Sequence, residues 1–146
     1  MLPGPSNFVA FQEALKHLGE EREANNNELD SGSAFGNRRR YLLHRQRFIT
    51  GRIRDIYNNY HFSERIIDLH YLYLSEVKAY LPKALQKIFR SDKALRRTTS
   101  FVKFITGYRN GQTIRKHIKQ QLQQHPRVIR YDDSWNHGAS DAKFSL

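Results

Sequence analysis

Apolar residues recur at steps of three and four along most of this chain, and that spacing limits its fold more than any other feature. Phe8, Phe11, Leu15 and Leu18 form one stripe, the pattern of a helix that buries a single face. Leu42, Ile49, Ile53, Ile56 and Tyr60 form a second and predict a helix over about residues 37–60. Residues 64–81 are apolar nearly all round, which predicts a central helix capped by Ser63. Pro82 has no amide to donate, so that helix is expected to end or kink there, with Ala84, Leu85, Ile88 and Phe89 carrying the stripe on toward Ser91. A further helix is expected over about 92–108, with Leu95, Val102, Ile105 and Tyr108 inward. A strand is the alternative there, because Thr98–Thr106 is rich in β-branched and aromatic types. Asn110-Gly111 marks a turn, and Ile114, Ile118 and Leu122 predict a last helix over about 112–124, stopped by Pro126. Val128–Tyr131 reads as a short extended segment. The expected fold class is all-α: an irregular bundle of about four core helices over residues 37–126, plus a tethered N-terminal amphipathic helix.

Punctuation residues divide the chain. Ser6 is the expected N-cap of the first helix, which ends in the acidic run Glu20, Glu21 and Glu23. Residues 24–36 hold Asn25, Asn26, Asn27, Ser31, Gly32, Ser33 and Gly36, and read as a flexible linker. The expected organisation is an acidic helix over 1–23, a linker over 24–36, a basic helical domain over 37–131 and a mobile tail over 132–146. A chain of 146 residues suits one domain.

Composition excludes several functions. There is no cysteine, hence no disulfide, thiolate metal site or cysteine nucleophile, and a cytoplasmic or other reducing compartment is expected. No apolar run reaches the roughly 20 residues of a membrane span, and the N-terminus lacks the form of a secretory signal. The eight glycines are scattered, with no phosphate loop and no Gly-x-Ser-x-Gly turn. The sequence calls for no cofactor and no metal.

Charge points the other way, toward a partner. Residues 37–131 carry 22 Lys and Arg against five Asp and Glu, whereas residues 1–36 carry two against six. Such an excess attracts polyanions, nucleic acid foremost. Arg38, Arg45 and Arg52 border the apolar face of the second helix, where they can meet carboxylates. Arg40, Arg47 and Arg54 project from its other side and form one candidate phosphate-binding row. Lys93, Arg96, Arg97 and Lys103 form a second patch. Arg115, Lys116 and Lys119 form a third, interleaved with Gln112, Gln120 and Gln123. Residues 99–124 also admit a helix-turn-helix reading, with Thr113–Gln124 as the reading helix.

Seven histidines raise the question of catalysis. None forms the i, i+4 pair of an H-E-x-x-H site, and His44 and His70 read as packed residues. Arg54-Asp55, followed after Ile56–Tyr60 by His61, resembles the R-[polar]-x-H pattern of HEPN-type helical ribonucleases. The resemblance implies that Arg54 stabilises phosphoryl charge and that His61 moves the proton of a 2′-hydroxyl, without metal. Arg39 with His44, and Arg65 with His70, satisfy the same loose spacing. The function expected first is a non-catalytic helical module that binds the phosphate backbone of RNA or DNA, within a nucleoprotein assembly. The alternatives are an adaptor, inhibitor or effector gripping an acidic protein partner, and a HEPN-like ribonuclease.

Overall fold

Two helices make up the first part of the chain: α1 (Phe8–Asp30) and α2 (Gly36–Asn59). They appear in a computed structural model that describes residues 5, 7–107, 111–132 and 138–146. The chain divides into two compact units, Met1–Tyr60 and His61–Leu146. In the first unit Asn7 caps α1, its side chain accepting the Ala10 amide at 2.9 Å. Ser6, the cap expected from sequence, lies outside the described residues. α1 does not stop at residue 23 but runs through Asn25–Asn27, into the stretch read as a linker. Asparagines are poor helix formers because they bond to nearby backbone. Here they bond to α2 instead. The Asn25 amide donates to Gln46 Oε1 at 3.0 Å, and Gln46 Nε2 donates to Asn26 Oδ1 at 2.8 Å.

The two helices form an antiparallel hairpin. Phe11 stacks on Tyr60 with ring centroids 4.2 Å apart, Arg45 donates to Glu21 at 2.7 Å, and Arg38 donates to Glu28 at 2.7 Å. Phe11, Leu15, Leu42, Ile49 and Ile53 are fully buried along the seam. The Arg45 and Arg38 guanidinium groups hold the Glu21 and Glu28 carboxyls below their ordinary range.

The second unit is not a helical bundle. It runs β1 (Ile66–Asp68), α3 (Leu74–Ala94), β2 (Thr99–Ile105), α4 (Gly111–Gln124), β3 (Val128–Asp132) and β4 (Ala139–Ser145). The strands form one mixed sheet in the order β1-β2-β4-β3. β1 pairs parallel to β2, with Ile67 opposite Phe104, while β4 lies antiparallel to both β2 and β3. This overturns the all-α expectation: the fold is α/β. The central helix predicted over 64–81 is a strand, a turn and only then a helix. A run that is apolar all round also suits a short strand buried in a parallel pair, and periodicity alone does not separate the two. The helix predicted over 92–108 is β2, whose burial alternates through Ser100, Val102 and Phe104. Period-2 burial and β-branched content agree there. With a strand in that place, the helix-turn-helix reading of 99–124 also falls. Residues 139–145, expected in a mobile tail, form β4 with Ala139, Ala142 and Phe144 buried.

α3 does not end at Pro82, which stands inside the helix on its exposed side. The lost hydrogen bond costs about 3 kcal/mol. The opposite, buried face of α3, made by Val77, Leu81, Ala84, Leu85 and Ile88, offsets it. α3 and α4 share one face of the sheet, where Phe89 of α3 and His125, just past α4, both pack edge-on to Phe144 of β4, at 4.9 and 5.4 Å. In the last turn of α3 a fully buried carboxylate, Asp92, receives Arg65, Arg97 (3.0 Å) and the Ser100 hydroxyl (2.6 Å). Among the described residues no helix is long and apolar enough to cross a membrane.

Candidate functional site

Open α/β sheets place ligands outside the carboxyl ends of their parallel strands. In the second unit those ends belong to β1 and β2. Asp68 closes β1 opposite Ile105, and the Leu69 amide donates to the Ile105 carbonyl at 2.7 Å. This bond carries the pairing one step beyond the strand. It sets Asp68-Leu69-His70 alongside Ile105-Thr106-Gly107.

Asp68 is fully buried, and it accepts from both the His70 amide, at 3.2 Å, and His70 Nδ1. Two bonds to one carboxylate fix the imidazole's place and its tautomer. A carboxylate only accepts, so Nδ1 is the donor of this bond and Nε2 stands on the ring's other side. The His70 side chain is 26% exposed, so solvent and solutes reach it. Gly107 backs it closely. A Cβ there would stand 2.6 Å from His70 Cβ, and the residue has φ +74°, so both space and backbone call for glycine. Tyr71 packs its ring against the imidazole. The Thr106 hydroxyl is buried beside Gly107 and has no hydrogen-bond partner among the described residues. Glu76, nearly buried, accepts the Tyr73 amide at 3.0 Å and so caps the start of α3. α4 begins at Gly111, soon after Gly107, and presents its positive N-terminal end on this side of the sheet.

An aspartate-oriented imidazole at a strand end is equipped to move a proton. Among the described residues, no group of three or more His, Cys, Asp or Glu is gathered as a metal site requires.

The sequence-predicted residues are spread more widely. Arg40, Arg47 and Arg54 are all exposed on α2, with Arg54 reaching Asp55 at 3.5 Å. His61 is exposed and begins the second unit, whereas Arg54 belongs to the first. The HEPN resemblance therefore spans two units, one of them α/β rather than helical. Lys93 is exposed near the end of α3, and Arg96 is exposed just after it. Arg97 is engaged with Asp92. Lys103 is half-buried in β2, in register with Ile66 and Asp141. On α4, Arg115 is half-buried while Lys116 and Lys119 are exposed. None of these is the Asp68–His70 pair. Sequence reading passed over that pair because it placed His70 among packed helical residues. A carboxylate two residues before a histidine, at the end of a β-branched run, was the available signal.

No curated protein and no solved structure matches the chain. A family does: the Smr domain matches residues 67–143, just over half of the chain. The match begins beside Asp68 and extends into β4, so it takes in Asp68, His70, Thr106 and Gly107 together. The chain belongs to the Smr domain family, known generally for binding and nicking nucleic acid.

Proposed function

We propose that the His61–Leu146 unit binds nucleic acid at the carboxyl ends of β1 and β2 and nicks it, with His70 as the proton-transfer group. The observation that carries this reading is the Asp68–His70 pair, backed by a glycine that leaves the imidazole no room to retreat. In the proposed step Nε2 of His70 takes the proton of the attacking hydroxyl as its oxygen bonds to phosphorus and the P–O bond to the leaving oxygen breaks. Asp68 holds the ring and neutralises the imidazolium that forms. In this reading the α4 N-terminus, which follows β2 in the chain, stabilises the phosphoryl charge. Sixteen Lys and Arg against seven Asp and Glu over residues 61–146 support a polyanionic substrate. The sequence alone favoured binding without catalysis; the oriented imidazole is what supports adding a nicking step. Nothing in the geometry favours an acidic protein partner.

The test uses supercoiled plasmid and end-labelled RNA, each with and without EDTA. The parent protein is expected to nick at least one substrate. His70→Ala is expected to lower the rate by about 100-fold or more while leaving affinity nearly unchanged. His61→Ala is expected to change neither. A parent that binds both substrates and cleaves neither, or a His70→Ala variant that cleaves at the parental rate, refutes the proposed role of His70.

A further inference from the structure

α3 and α4 do not close fully over the sheet. Between them lies a cleft of about 940 Å³. Its floor is apolar and aromatic, with Leu81, Leu85, Leu122 and Phe89. Its rim is cationic: Lys78, Arg90, Lys93 and Arg127 all line it, and among the described residues no carboxylate does. In a chain with 14 acids, a wall holding four cations and no acid is selective for anions.

Two histidines, His117 and His125, also line it. Burial, helped by Lys78 near the first and Arg127 near the second, pushes both below the ordinary histidine range. Both rings are therefore neutral near pH 7; His125 Nδ1 accepts the Arg127 amide at 3.1 Å and leaves its Nε2–H as a donor, while a neutral His117 ring carries one donor and one acceptor. That is the equipment needed to meet the edge of a nucleobase rather than only a phosphate. His125 also stands edge-on to Phe89, at 6.2 Å, so an aromatic surface lies at the cleft floor. Bases unstacked from a single strand are held against such surfaces, and every base has a face to offer.

Position separates the cleft from the Asp68–His70 site. α3 leaves β1 at its carboxyl end and returns to the start of β2, so Phe89, Arg90 and Lys93 lie toward the far end of the sheet. From Lys78 to Lys93 the cleft extends about 22 Å along α3. Its near end is one turn from the start of α3, which begins four residues after His70.

We infer that the α3–α4 cleft holds a single-stranded segment of the nucleic acid, with an unstacked base over Phe89 and His125 and its phosphates on Lys78, Arg90, Lys93 and Arg127. The inference rests on the nucleic-acid reading above and adds a strand preference: unpaired substrate binds along the helices while the scissile phosphate lies at His70. A duplex, whose bases are stacked and paired, gains nothing from the cleft.

The experiment measures fluorescence anisotropy of a labelled 12-nucleotide single strand and of the matching duplex, at several salt concentrations, with the full chain. Two variants probe different properties of the cleft. Arg90→Gln with Arg127→Gln removes rim charge at two exposed positions. It is expected to weaken single-strand binding and flatten its salt slope by about 0.7 for each phosphate no longer neutralised, leaving the duplex slope unchanged. Gln121→Trp, also exposed on α4, fills the cleft without changing charge. It is expected to weaken single-strand binding with an unchanged salt slope. His70→Ala is expected to leave both affinities alone, so the cleft and the catalytic pair fail or survive separately. Equal losses on single strand and duplex, or a Gln121→Trp variant that binds the single strand like the parent, overturn the cleft assignment. Saturable binding of a mononucleotide with no binding of either oligonucleotide overturns it as well, in favour of a small-molecule pocket. Failure of every ligand to bind refutes the nucleic-acid reading itself.

Discussion

Gly107 is the residue on which the proposed site turns. Its φ of +74° disfavours any side chain, and a Cβ would meet His70 at 2.6 Å. Gly107→Ala is expected to cost about 2 kcal/mol or more, from left-handed strain and overpacking together. It is also expected to swing His70 off Asp68 and so suppress nicking, measured by denaturant unfolding alongside the cleavage assay. A variant of parental stability that still cleaves would show that Gly107 does not position the imidazole. Asp92 makes a second prediction. Burial pushes its carboxyl up, but hydrogen bonds from Arg65 and Ser100, with the charges of Arg65 and Arg97, outweigh that and hold it below the ordinary carboxylate range. A folded value below the unfolded one means the stabilisation is complete above about pH 5 and is lost as pH falls through the folded value. Arg65 and Arg97 remain 22% and 48% exposed, so their own loss of a partner is softened by water. Asp92→Asn is therefore expected to cost about 2 kcal/mol at pH 7 and progressively less as the pH falls through the folded value, followed by urea unfolding across the acid range. A cost independent of pH would mean that shape, not charge, holds the cluster. Neither residue stood out in the sequence. Asp68 and His70 are two apart, and on the helix predicted there they would point to nearly opposite sides. Only the strand end and its turn bring them together.

At the scale of elements, the helices were legible where periodicity ran long and the strands were hidden where it ran short. α2 and α4 match their predicted spans within a residue or so, because three or more turns of a one-sided stripe suit a helix and little else. β1 has three residues, too few for a period, and its neighbours supplied apolar residues that imitated a helix. β4 offers Ala139, Ser140 and Ala142, small residues that are buried in the fold but carry too little hydrophobicity to mark a strand in the sequence. The end of α3 carries a conflict the sequence did not advertise. The Arg97 amide bonds to the Asp92 carbonyl and the Arg96 amide to the Lys93 carbonyl, at 3.0 and 2.9 Å. These bonds form a Schellman closure, in which the left-handed position is usually glycine. Here it is Arg96, with φ +59°. Arg96→Gly is expected to raise stability by up to about 1 kcal/mol, read as a higher melting temperature. If Arg96 also touches phosphate, the same variant will bind nucleic acid more weakly while melting higher. A drop in melting temperature would show that the arginine side chain itself supports the turn.

The whole molecule joins a helical hairpin to an α/β unit, and the charge pattern of the hairpin is the part of its function most open to test. The sequence separates the arginines of α2 into two sets stepped by seven. In the structure Arg38 and Arg45, of the first set, are occupied by Glu28 and Glu21 of α1. The acidic residues of α1 thus pair with two of the three arginines in that set and, among the described residues, with none of the other. Arg40, Arg47 and Arg54 stay exposed in a row away from the buried seam of Leu42, Ile49 and Ile53. Long cations without a structural duty suit phosphate binding, which positions a partner without reading its sequence. Changing all three to Gln is expected to leave the fold intact, because no buried side chain is touched. If the row engages duplex DNA, binding will weaken and the slope of log affinity against log salt will flatten by about 0.9 for each phosphate released. Titration between about 50 and 200 mM salt is enough to read that change. Nicking at saturating substrate is expected to stay at the parental rate, since His70 lies in the other unit. A flattened slope with unchanged chemistry would assign the hairpin to capture and the α/β unit to cleavage. An unchanged slope would confine binding to residues 61–146 and leave the hairpin without a role in it.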